Sequence, residues 1–244
     1  MAPSMILQKR IQFLAAVLAI LAGLSAAVGQ NDKAESQQAF TFSMNDMPLL
    51  PALLKFGSEN HLPLGIILQP GDPLCRTTKS VNLKDAQARQ IIEGIVEGSD
   101  YVAGNSGGVW VIMPRTVPAG SSYVLNIHME QFGTMRTTVQ GLGIILAGYV
   151  RAHLHPNEGY AGDILASSRA ENIEPFTLHN VTIEEAANHI VNLAGKGLWI
   201  LYPVPDNPRD TAARHLYIYG YEDDAEVIAH LSCKNPDSAV DGNR

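Results

Sequence analysis

Cysteine is scarce in this chain, two residues in 244, and the scarcity excludes several classes. Cys75 and Cys233 stand too far apart in sequence for a local zinc motif, and two thiols cannot build a disulfide-dense scaffold. Basic charge is also short, with 17 Lys and Arg against 24 Asp and Glu. Nucleic-acid binders carry a basic patch or stripe, so no nucleic-acid partner is expected. Long apolar runs are absent after residue 28, so no later stretch is expected to span a bilayer.

The one long apolar run lies at the N-terminus. Lys9 and Arg10 precede an apolar stretch from Ile11 to Val28, and Gln30-Asn31-Asp32-Lys33 follows it. Basic, apolar and small-residue zones in that order are the layout of a secretory signal. Ala27 and Gly29 place cleavage before Gln30, making residues 1–29 a signal peptide. Gln12 and Ser25 shorten the strongly apolar part. The other reading is an uncleaved anchor, which would give the chain its one membrane contact. Without Lys9 and Arg10, 15 basic residues face 24 acidic ones, a net of −9. In an oxidising compartment Cys75 and Cys233 can form one disulfide closing a long loop, or stand as two separate thiols.

Residues 30–39 lack apolar periodicity and read as a flexible leader. Phe40, Phe42 and Met44 then alternate with Thr41 and Ser43, the period of a half-buried strand. Asn45-Asp46 offers an N-cap and Pro48 an early helical position for the Leu-rich helix that follows. Leu64 to Leu68 is a short buried strand. Val81 and Leu83 open a second unit, Ala88 to Val96 falls at helical spacing, and two strands, 101–103 and 109–113, flank an Asn-Ser-Gly-Gly hairpin turn. Residues 40–114 thus read β-α-β then β-α-β-β, and 115–122, with Pro118 and Gly120, as a linker.

Residues 123–221 repeat the programme. With Leu178 laid on Leu83, Ile183, Ala186, Ala187, Ile190 and Val191 stand over Ala88, Ile91, Ile92, Ile95 and Val96 without a gap. Thr182 and Glu185 form a capping-box pair. Tyr123, Leu125 and Ile127 alternate as an opening strand; Leu198–Leu201 and His215–Tyr219 supply a closing strand pair. Residues 134–154 follow a helical period, yet Leu142–Leu146 repeats the pentapeptide at 64–68 letter for letter, and Gly141, Gly143 and Gly148 weaken a helix. Helix is preferred, because a strand there would leave a very long loop, and Asp163–Leu165 is then the following strand. Residues 222–244 read as a polar tail, with a short helix over 225–231. The expected class is α/β (α+β), two similar βαβ-βαββ subdomains, each a small mixed sheet with two helices.

This order, with FTFSMNDMPLLPALLKFGSENHLPLGIIL followed by SVNLKDAQARQIIEGIVEGSDYVAGNSGGVWVIMP, resembles the short N-terminal domain shared by secretins and TonB-dependent receptors. The resemblance covers residues 40–113 well. In 123–221 it rests mainly on FTLHNVTIEEAANHIVNLAGKGLWILY. It implies a periplasmic, non-catalytic domain that contacts partner proteins of the envelope. With no barrel or secretin domain following in this sequence, the expectation is a free-standing adaptor or assembly factor.

Gly104-Asn105-Ser106-Gly107-Gly108 resembles the nucleophile string of trypsin-like serine proteases. That chemistry also needs a base and a carboxylate. Only His61 precedes Ser106, in a helix-to-strand loop, so the string is expected to be a hairpin turn in which Asn and Gly supply positive φ. His153 and His155, joined in space by His128, could approach a metal site. A catalytic zinc wants three protein ligands, no carboxylate stands at ligand spacing, and His153 and His155 are instead expected at a helix C-terminus. His179 and His189 flank the most regular helix, His189 on its polar side facing solvent. Trp110 and Trp199 are expected in core or inter-strand packing. The resulting expectation is a non-enzymatic protein without metal or cofactor, whose partner is an envelope protein or a second copy of itself. A serine hydrolase using Ser106 and a cell-wall glycan binder, which would need exposed rings such as Trp110, Trp199 or Tyr217, are the alternatives.

Overall fold

The computed structural model describes residues 38–69, 71, 73–134, 136–157, 172–195, 197–204, 216–220 and 233. The signal and the leader up to residue 37, Asp163–Leu165, His215 and all but Cys233 of the tail lie outside them. The chain is α+β. In order, the first half runs β1 (Phe40–Pro48), α1 (Leu49–Glu59), β2 (Leu64–Ile67), α2 (Pro73–Arg76), β3 (Thr78–Ala86), α3 (Ala88–Val96), β4 (Tyr101–Ser106) and β5 (Val109–Pro114). The second half runs α4 (Ala119–Leu125), β6 (His128–Thr134), β7 (Thr137–Thr138), α5 (Val139–Leu154), β8 (Asn172–Ile173), β9 (Phe176–Thr182), α6 (Ile183–Leu193), β10 (Leu198–Leu201) and β11 (Leu216–Tyr219).

The sheets depart from the expectation of one small sheet per half. β4 and β5 from the first half join β10 and β11 from the second on either side of β2, in the order β11-β10-β2-β5-β4. β10 and β5 both run parallel to β2, while β11 and β4 are antiparallel partners at the ends. The physical reason is visible in the strands themselves. Leu64-Gly-Ile-Ile, Val109-Trp-Val-Ile and Leu198-Trp-Ile-Leu are apolar at every position and almost wholly buried, so they need helices on both faces.

The two halves supply one face each. Leu64, Ile66, Trp110, Ile112, Leu198 and Ile200 point into a core built with α1 and α3. Their alternating neighbours Ile67, Val109, Val111, Trp199 and Leu201 point into a second core built with α5 and α6. Two antiparallel ribbons, β1–β3 and β6–β9, flank these cores. Phe40 and Phe42 of β1 each meet Phe56 edge-on, and Phe132 of β6 meets Tyr149 and Phe176 in the same region of the second half.

The halves also share local detail at the 95-residue offset. Asp85 and Asn180 occupy corresponding positions and both take positive φ, 51° and 52°, a conformation that Asx residues tolerate best among those with side chains. Gln87 and Thr182, two residues later, both open a helix with a reciprocal capping box.

Three local expectations are corrected. The linker and opening strand at 115–127 contain a helix, α4, which starts after Pro118. Its apolar residues Val124 and Leu125 are adjacent and both buried while Tyr123 is exposed, so the apparent alternation was not the pattern of burial. The strand of this unit is β6, whose inward residues are Met129 and Phe132. Asn45-Asp46 does not cap α1: β1 runs on to Pro48, which stands at the N-cap itself. The helix preferred over 134–154 is shorter, Val139–Leu154: residue 134 ends β6 and Thr137–Thr138 form β7, and the helix starts at the Thr138 cap, whose hydroxyl accepts from the Gly141 amide at 3.1 Å.

The repeated pentapeptide adopts two structures. At 64–67 it is a strand; at 142–146 it is helix. In both, the glycine admits a large neighbour. A Cβ on Gly65 would overlap the Trp199 indole, and one on Gly143 would lie 2.9 Å from Cβ of Ile218 on β11. Gly65→Ala should therefore push Trp199 off β2 and lower stability by about 1–3 kcal/mol, the usual range for overpacking. Urea unfolding of the purified protein measures this, and an unchanged midpoint would show that the indole is free to move aside.

Candidate functional site

Ser106 ends β4, and Gly107 and Gly108 carry the turn to β5 with φ of 60° and 88°. Positive φ at both central residues is the hairpin geometry that suits twisted strands. The Asn105 side chain closes the turn, Oδ1 accepting from the Gly108 amide at 3.1 Å. Helix α6 holds the turn from outside. Asn188 donates from Nδ2 to Ser106 Oγ at 3.2 Å, and Asn192, one helical turn on, donates to the Gly107 carbonyl at 2.6 Å. Asn188 is only 5% exposed and accepts through Oδ1 from the buried Trp199 indole N–H at 2.7 Å. The Ser106 hydroxyl thus meets an amide rather than an imidazole, and its surroundings are those of a clamp between halves. Sequence reasoning identified the turn but not Asn188 and Asn192, whose i,i+4 spacing was the available signal.

Both tryptophans are buried, Trp199 completely and Trp110 at 4% exposure. The Arg89 guanidinium lies 5.9 Å from the Trp110 ring centre. Tyr217 is half-buried, stacked on Tyr219 and edge-on to Tyr202. The large hydrophobic side chains exposed among the described residues are elsewhere: Tyr123, Tyr149 and Leu193.

Tyr149 lines a concavity of about 350 Å³. One wall is the continuous segment from Ile127 to Gln131, leading into and along β6; the other is Tyr149 and His153 of α5. His128 and His153 therefore do share a site, while His155 caps the end of α5 and does not line it. The Tyr123 hydroxyl lies 3.3 Å from His153 Nε2. Among the described residues, no group of three or more His, Cys, Asp or Glu side chains is placed to hold a metal ion.

His189 does not face solvent as expected. It is half-buried, its ring edge-on to Phe176 at 4.9 Å, and burial lowers its pKa from the ordinary 6.5. Burial, with a smaller contribution from neighbouring Glu185, raises that of Glu184. His179 is exposed on β9, across from Gln131.

Cys75, in α2, is bonded to Cys233, joining positions 158 residues apart. The bridge fits an oxidising compartment, and no helix among the described residues is long and apolar enough to cross a membrane. No protein-family model matches the chain, and neither a curated protein nor a solved structure matches it.

Two measurements follow from these contacts. Asn188→Ala should strand the buried Trp199 N–H and cost about 1–3 kcal/mol, whereas Ser106→Ala should cost less than about 1 kcal/mol. Equal losses in denaturant unfolding would contradict that ranking. A lowered folded-state pKa means that the unfolded chain takes up the His189 proton first on acidification. Its contribution to stability therefore falls as pH drops below 6.5 toward the folded value. His189→Gln should flatten the loss of melting temperature between neutral and mildly acidic pH; a profile unchanged from the parent protein would rule this out.

Proposed function

We propose that this is an exported, non-enzymatic protein of the cell envelope, periplasmic or secreted after signal cleavage, that works by binding another protein. It is read as two halves, each resembling in sequence the secretin and TonB-receptor short N-terminal domain and here joined through one central sheet, acting together as an adaptor or assembly module.

The observation that carries this reading is the pair of flanking ribbons. The central sheet has helices on both faces, whereas β1–β3 and β6–β9 are two-stranded, and among the described residues neither has a third strand. Their outward positions are polar: Thr41, Ser43, Asn82 and Lys84 on the first ribbon, Glu130, Gln131, Thr177 and His179 on the second. An unpaired strand edge offers main-chain N–H and C=O groups to an incoming segment, the basis of recognition by strand addition. The disulfide supports the oxidising compartment. The Asn188–Ser106 contact, a structural use of the one protease-like string, supports a role without catalysis.

In-cell crosslinking of the tagged full chain, with mass spectrometry of what co-purifies, tests the reading. One envelope component should be recovered, with crosslinks at ribbon residues, and recovery should fall when Thr41 and Ser43, or Gln131 and Thr177, are changed to Lys, a residue that blunts edges. Recovery of the chain alone, or of a component indifferent to both ribbons, would overturn it.

A further inference from the structure

The two ribbons are not equivalent. Beside β6 lies the concavity walled by α5, and no residue of β9 lines it. The opening is therefore on the side of β6 away from its partner, where the strand edge is unpaired among the described residues. An open edge facing a helix leaves a slot in which an added strand would be held by main-chain hydrogen bonds and flanked by helix side chains.

The slot is chemically polarised. Tyr149 and His153 stand one helical turn apart on α5, so they mark two levels along the groove. Tyr149 packs on Phe132, toward the C-terminal end of β6. His153 packs on Tyr123, from α4, which precedes β6. Hydrogen-bond donors of His128, His153 and Tyr123 thus gather at one end, and Glu130, the one carboxylate of the lining, sits toward the other beside Gln131 and Tyr149. His128 and Glu130 are both exposed, two residues apart on one strand, so their side chains share a face, roughly 7 Å apart. Side chains directly opposite on neighbouring strands pair by charge.

We propose that this groove binds an extended segment of a partner protein as a third strand beside β6, the segment carrying a carboxylate opposite His128 and His153 and a Lys or Arg two residues away opposite Glu130. The proposal rests on the protein-binding reading and names its site and the chemistry of the partner. Tyr149 flanks the added strand from α5 with its exposed ring. The exposed strand residues of the first ribbon are Thr, Ser, Asn, Asp and Lys, with no imidazole or tyrosine among them.

Selection of a linear dodecapeptide display library against the purified protein tests this directly. Enriched peptides should carry an acidic and a basic residue at i,i+2 and protect the amides of residues 127–131 from hydrogen exchange. They should also bind about tenfold more weakly to Tyr149→Ala, the loss typical of an anchoring aromatic. His153→Gln, at an exposed position, should relax the demand for the acidic residue without changing the melting temperature. No enrichment, enrichment without that charge pair, or protection confined to other segments would overturn the proposal. Protection of 127–131 by chitotetraose instead of peptide would reassign the groove to glycan. If peptides fail here while crosslinks to a partner map to β1–β3, the protein-binding reading stands and this groove is not its site.

Discussion

The architecture depends on one close approach, the Trp199 indole lying across the bare backbone of Gly65. These residues are direct partners in the parallel pairing of β10 with β2, the seam at which the two halves of the chain become one sheet. The indole fills the space that a side chain on β2 would take, and its N–H is anchored by Asn188 of the helix above. Asn188 then reaches Ser106 in the first half. A buried Trp N–H needs a partner, and here the partner is the residue that also ties down the hairpin. One amide thereby couples sheet seam, covering helix and turn.

Once the seam closes, the alternation of side chains along each central strand divides them between two cores. Leu198 and Ile200 face α1 and α3 while Trp199 and Leu201 face α5 and α6. Neither half could bury such strands alone, since each supplies its long helices to one face only. The Cys75–Cys233 bond adds a covalent tie from the tail back to α2. Its effect on stability comes chiefly through restricting the unfolded chain.

Much of this was legible in the sequence, and the failures have physical causes. Local signals were reliable where one element settles them: the Thr182–Glu185 capping box, the glycine turn after Ser106, the apolar face of α6. The merging of the two sheets was missed because pairing between β2 and β10 spans more than 130 residues and leaves no local signature. A clue was present: strands apolar at every position, such as Leu198-Trp-Ile-Leu, imply burial on both faces, which a half-exposed sheet does not need. The pentapeptide Leu-Gly-Ile-Ile-Leu shows the limit of local reading, since its two copies differ in structure and only the partner, Trp199 or Ile218, explains each. The candidate groove was legible only in part. His128 and His153 stood out as residues, but Tyr123 and Tyr149 did not, because exposure of a ring follows from packing that only the folded chain defines.

A sheet covered on both faces also constrains where recognition can occur. Its faces are occupied, so contacts with another molecule fall to the periphery, where the two ribbons present backbone edges. The halves place corresponding residues there in the same backbone geometry, as Asp85 and Asn180 show, yet the side chains beside them differ: Lys84 in one ribbon, His179 in the other. Only the second half sets a long helix bearing exposed Tyr149 and His153 beside its outer strand. Repetition of one backbone plan thus supplies two edges, and under the proposed strand addition the difference in side chains would make one of them selective. On this argument specificity would belong to the residues in which the halves diverge, while the local conformations they share, the capping boxes and the left-handed Asx positions, serve the fold.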